Sequence, residues 1–134
     1  MNEQQNVQII QDIYAAFGRG DMDTILNALA PDIDWFIPGS KEIPYSGHRC
    51  NPQEVKACIE QMVTTLEIQR FEARKFEANN DEIIVVGFER MKVKATGRVF
   101  ENDWIQIWSL KDSRVIRFRE FFNTDKVLHA FKSD

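Results

Sequence analysis

The stretch FENDWIQIWSLKDSRVIRFREFFN, residues 100–123, places one acid among large apolar side chains. Along the second of its two predicted strands Ile116, Phe118, Glu120 and Phe122 share a parity. A carboxylate on such a face must be paired, shifted in pKa, or lining a cavity, because a bare buried charge costs too much. Either protonation state of that group can do acid–base chemistry. Gln106, between Trp104 and Trp108 on the preceding strand, raises a milder form of the same problem and is a candidate hydrogen-bond donor to a ligand. The two strands, turning at 111–114, are predicted to wall a pocket lined by Trp35, Trp104, Trp108, Phe118 and Phe122. Glu120 and Gln106 share its face only if the hairpin loop is odd or a bulge intervenes.

Further candidates lie elsewhere in the chain. Within 83–95, Ile84, Val86 and Phe88 are followed on one parity by Arg90, Lys92 and Lys94. Arg90 is thus the first charge after an apolar run, either simply exposed or at a pocket mouth where it would pair with Glu120. Tyr14 sits on a buried helical stripe, so its hydroxyl bonds inside the core or reaches a cavity. Tyr45 and His48 occupy a loop, and a loop His is solvated or meets a ligand. No metal site is expected, since His48, His129, Cys50 and Cys58 make no HxxxH or CxxC spacing.

The positioning elements follow from periodicity. Residues 3–17 carry Val7, Ile10, Ile13, Tyr14 and Phe17 at helical spacing, ended by Gly18 and Gly20. Asp21 caps a short second helix, Ala30-Pro31-Asp32 turns the chain, and 33–37 reads as a strand. Residues 38–51 have the Gly and Pro content of an irregular loop. Asn51-Pro52-Gln53-Glu54 starts a third helix with a cap, Pro at N1 and a capping-box Glu; Cys58 is a small core residue on its stripe. Strands at 67–78 (charged, hence an edge) and 83–95 precede the aromatic hairpin, and 124–131 closes the chain as a short helix. This is an α+β order, with helices closing the concave side of a strongly curved, mainly antiparallel sheet.

Composition agrees with one domain spanning 1–134, at 43% hydrophobic and 28% charged residues. Ten Phe and three Trp suit an aromatic core with a cavity. The net charge of −4 argues against nonspecific nucleic-acid binding. No apolar run approaches the ~20 residues of a membrane span, and MNEQQN has no signal-peptide character, so a cytoplasmic location is expected. The cysteines are then expected as reduced thiols.

The order of elements resembles the nuclear-transport-factor-2-like fold, and more narrowly its SnoaL-like, ketosteroid-isomerase-related branch. IYAAFGRGDMDTILNALAPDIDW, PYSG before the third helix, ATGRVF and VIRFREFFNTDKVLHAF carry the resemblance over essentially the whole chain. It implies a conical α+β barrel, three N-terminal helices on the sheet, a deep pocket for a small apolar or polycyclic ligand, and a homodimer formed through the sheet. It also implies chemistry without metal or cofactor. Ketosteroid isomerases carry a general-base Asp at the position of Ile37, an oxyanion Tyr near Ile13 or Tyr14 (the alignment favours Ile13), and a protonated Asp near Gln106. Without the base, steroid isomerisation by that route is not expected. The Asp-Arg-Asp group of limonene-epoxide hydrolases maps onto Lys92, Arg90 and Glu120, an incomplete set. The SnoaL-like motif E-Y-F-D-T reads here Glu120-Phe121-Phe122-Asn123-Thr124, and Asn123 cannot act as a base. Three readings stay open: a small enzyme using Glu120, paired or not with Arg90, on an apolar oxygen-bearing metabolite; a binding protein with the same cavity; and a scaffold with a filled core.

Overall fold

The computed structural model describes residues 2–132. Helix α1 (Glu3–Gly18) opens with a capping box: the Asn2 side chain accepts from the Gln5 backbone, and the Gln5 side chain accepts from that of Asn2. Helix α2 (Met22–Asn27) is capped by Asp21. In α3 (Pro52–Thr65) Asn51 caps the Glu54 N–H, but the Glu54 carboxylate accepts from Cys50 N–H, so the expected capping box is not closed on Asn51 itself. Helix α4 (Thr124–Phe131) is capped by Asn123.

The strands are β1 (Leu29–Ile37), β2 (Gly47–Arg49), β3 (Leu66–Asn79), β4 (Glu82–Val93), β5 (Val99–Lys111) and β6 (Arg114–Phe121). They form one sheet in the order β2-β1-β6-β5-β4-β3, antiparallel except for the β1–β6 pair. Two expectations are corrected. Ala30-Pro31-Asp32 lies inside β1, where the register shifts between Leu29 and Asp34 accommodate the proline. The loop at 38–51 contains β2, which pairs with the end of β1.

Bulges curve the sheet and decide which side chains face inward. β3 is an edge strand, as its charges predict, and its register slips twice, between Ile68 and Arg70 and between Ala73 and Lys75. Both slips change the parity of the strand, so Phe71 and Phe76 pack on the core beside Leu66. The β5–β6 hairpin turns through Asp112 and Ser113, both in the left-handed region (φ 51° and 66°), the geometry of a two-residue type I′ turn. A two-residue turn alone would set Glu120 opposite Ile105, on the outer face. Instead the register moves from Leu110↔Val115 to Ser109↔Arg117, leaving Ile116 as an extra residue. Ile116 therefore faces out, against the parity expected for it, while Phe118 and Glu120 turn in.

The concave face holds the core. Trp104, Phe118, Ile33, Ile37, Val55 and Val85 are all fully buried there with the inner faces of α1 and α3. Burial of each large side chain contributes about 1.5–3 kcal/mol. Gly87 stands opposite Trp104 across β4–β5, and a Cβ at that position would overlap both the Trp104 ring and the Glu72 carbonyl oxygen. The convex face leaves Val86, Ile105, Ile116 and Phe121 exposed. Among the described residues no helix is long and apolar enough to cross a membrane.

Candidate functional site

The β5–β6 register puts Gln106 directly opposite Glu120 and Trp108 opposite Phe118, all on the concave face. The bulge at Ile116 thus supplies the condition that the sequence left open. Together with Tyr14 on α1, Trp35 and Ile37 on β1, and Phe122 beyond β6, these side chains line a cavity of about 70 Å³. Its remaining walls are apolar apart from Tyr45 of the 38–46 segment and Glu89 of β4.

A directed chain of hydrogen bonds crosses the wall. The Trp108 indole N–H donates to the Tyr14 hydroxyl at 3.0 Å, Tyr14 donates to Gln106 Oε1, and Gln106 Nε2 donates to Glu120 Oε2. Every donor points toward the carboxyl group. The proton of Tyr14 is committed to Gln106, so this hydroxyl orients the amide and offers no free proton to a ligand. Tyr14, and not Ile13, is the residue of α1 that reaches in with a polar group.

Burial dominates the electrostatics. It raises the Glu120 carboxyl from 4.5 to about 7, and the Gln106 hydrogen bond only partly offsets it. Glu89 is pushed up to about 8, first by burial and then by the charge of Glu120, with a hydrogen bond from Asn102 opposing. Tyr14 and Tyr45 are held protonated well above the ordinary tyrosine range, again chiefly by burial. Cys58, behind the cavity on α3, donates its thiol to the Tyr45 carbonyl and is raised to about 11 by burial, so it stays a neutral core thiol.

Four other predicted site residues lie outside the lining. Arg90 is on the convex face, where it bonds Gln69 and pairs with Glu101 at 3.2 Å, so it does not reach Glu120. The parity of β4 explains the error: Ile83, Val85, Gly87, Glu89 and Met91 point inward, and the run Ile84-Val86-Phe88-Arg90 points out. His48 is exposed on β2, its ring 4.4 Å from that of Phe36. Trp104 is buried behind the lining, stacked on Phe71 and Tyr14. The Asn123 side chain is used in capping α4. Glu89 was the residue that sequence reasoning missed. Its signal was the break of an apolar run, Ile-Ile-Val-Val-Gly-Phe-Glu, read on the wrong parity. Among the described residues no group of three or more His, Cys, Asp or Glu is placed to hold a metal ion.

A helix-roofed, strongly curved sheet around an apolar cavity with a buried acid defines a class, the cone-shaped α+β domains. Within that class the chain belongs to the SnoaL-like domain family, whose model matches residues 10–118. It is similar to an NTF2-like protein of Burkholderia xenovorans LB400, at 36% identity over 98% of this chain and 99% of that one, with a TM-score of 0.91. An uncharacterised protein of Mycobacterium tuberculosis H37Rv is 21% identical over 98% of both chains. TerC, crystallised with polyporic acid, shares the fold at 23% identity, covering 96% of this chain and 99% of that one, with a TM-score of 0.85.

Proposed function

We propose that this is a small-molecule protein of the SnoaL-like family in which Glu120 performs metal-independent acid–base chemistry on an apolar metabolite held in the cavity. One observation carries the reading: a carboxyl group raised to about 7 stands at the wall of an aromatic-lined cavity, oriented by Gln106. Near neutral pH such a group is present in both forms, able to take a proton from a bound molecule or to give one. Gln106 is itself held by Tyr14, and Tyr14 by Trp108, so the donor to one oxygen of Glu120 is in place before a ligand arrives. Trp35, Phe118 and Phe122 give the cavity apolar walls beside the acid. Ile37 supplies apolar wall where the ketosteroid isomerases carry their base, which argues against steroid isomerisation. That same feature favours a second reading, a non-catalytic binding or sensing protein with this cavity.

TerC, which shares this fold, was crystallised with polyporic acid, and a small organic ligand is the corresponding reading for this chain. A second copy of this chain is the proposed partner on the convex face. Val86, Ile105, Ile116 and Phe121 are 39%, 40%, 36% and 52% exposed there, an apolar surface that no helix among the described residues covers. Native mass spectrometry of the purified protein identifies a retained ligand, and turnover of that compound is then followed in wild type and Glu120→Gln. Loss of at least about 100-fold in turnover is expected. Full turnover by the variant removes Glu120 as acid or base. Saturable uptake with no product by the wild type selects the binding reading.

A further inference from the structure

Glu89 gives the cavity a second carboxyl group, and no Lys, Arg or His among the described residues lines the same space. We propose that the ligand is a small organic monocation, an aromatic or alicyclic amine whose nitrogen is received by Glu89 and Glu120 while its ring lies against Trp35, Trp108 and Phe118. This rests on the reading of the cavity as a small-molecule site and narrows it to one ligand charge.

A buried acid that shares a cavity with a half-buried one ordinarily occurs with a compensating cation. Arg90, adjacent in sequence to Glu89, is turned to the opposite face and spent on Glu101. Glu120 has one oxygen bonded by Gln106, and no donor among the described residues meets its other oxygen. Asn102, opposite Glu89 on β5, supplies that residue's hydrogen bond. The other titratable groups facing the pair are Tyr14 from α1 and Tyr45 from the 38–46 segment, with the Cys58 thiol of α3 behind; each is neutral. What remains to neutralise the pair is a proton or a bound cation. The rings add a second, independent preference. Trp35 stacks on Phe118 at 3.9 Å and Trp108 meets both edge-on, a set of π faces that attracts a cation. A purely apolar cavity would discriminate the other way, because an ammonium group costs more to desolvate than a hydroxyl.

Binding an ammonium then expels the proton that the empty pair holds. Glu120 and Glu89 lose that proton near about 7 and about 8, so affinity for an amine rises as pH increases through this range. The test uses the full chain and three matched probes, benzylammonium, benzyl alcohol and benzoate, titrated calorimetrically at pH 6 and pH 8. Two buffers of different ionisation enthalpy count the protons released. At pH 8 benzylammonium is expected to bind at least about tenfold tighter than benzyl alcohol, as for an opposite charge within a few ångströms of a carboxylate. Proton release accompanies it, and the ratio narrows at pH 6. Glu89→Gln, checked for folding by circular dichroism, lowers the ratio about tenfold. Equal or tighter binding of benzyl alcohol, or an undiminished ratio in Glu89→Gln, overturns the inference and leaves the small-molecule reading standing. Absence of binding by all three probes also overturns the inference.

Discussion

Replacing Glu120 with Gln should stabilise the folded protein at alkaline pH, although it removes a buried residue from a hydrogen-bonded chain. The unfolded carboxyl loses its proton near 4.5, while the folded one keeps it to about 7. Between those values the folded state binds more protons, so raising the pH removes stability; below 4.5 both states are protonated and nothing is lost. A difference of 7 − 4.5 at 1.36 kcal/mol per unit corresponds to about 3 kcal/mol of destabilisation above pH 7. An amide of the same shape never ionises, and its carbonyl can still accept from Gln106. Glu120→Gln should therefore melt higher than wild type at pH 8.5, by on the order of 10 °C for a chain of this size, and the gap should close near pH 4.5. Glu89, raised by the same cause, leaves a residual slope in the variant. Thermal unfolding followed by circular dichroism from pH 4 to pH 9 measures this. A wild type whose stability is flat between pH 5 and pH 8, or a variant less stable than wild type at pH 8.5, refutes the reasoning.

Other consequences are simpler to read. Gly87→Ala places a methyl group into the Trp104 ring and the Glu72 carbonyl, and should cost about 3 kcal/mol in urea unfolding; a neutral outcome would mean that Trp104 does not lie over Gly87. Tyr14→Phe strands the Trp108 indole N–H and frees Gln106, a loss of about 1–2 kcal/mol. The same substitution should lower turnover of any identified substrate, while unchanged stability and turnover would remove Tyr14 from the chain. Ultracentrifugation at micromolar concentration should give a dimer for wild type and a monomer for the Ile105→Glu, Phe121→Glu double variant, whose two sites lie on the exposed convex face. A monomeric wild type would count against the second copy.

The helices and the aromatic hairpin were legible because capping chemistry and periodicity are local signals. Asn51-Pro52 and Asp21 mark starts that the structure reproduces. The cavity face was legible only where alternation is unbroken, as at Trp35 and Ile37, or Trp104, Gln106 and Trp108. A bulge shifts parity without leaving a residue-type signature, so periodicity alone puts Ile116 inside and leaves the position of Glu120 relative to Gln106 undecided. On β4 both faces are apolar, and alternation cannot choose between them when the convex side also carries Ile84 and Val86. That ambiguity turned Arg90 inward and hid Glu89. Resemblance carried the architecture well, because topology survives substitution. It carried the site less well, since a one-residue change of facing exchanges an arginine for a glutamate.

The account depends on a carboxyl group at residue 120 that turns into the cavity and loses its proton near neutrality. Carbon-13 NMR of the side-chain carboxyl groups in glutamate-labelled protein, with Glu120→Gln assigning the resonance, reads that proton directly. The structure predicts a midpoint near 7. A midpoint at the ordinary glutamate value of 4.5 would place this carboxyl in solvent and contradict the account.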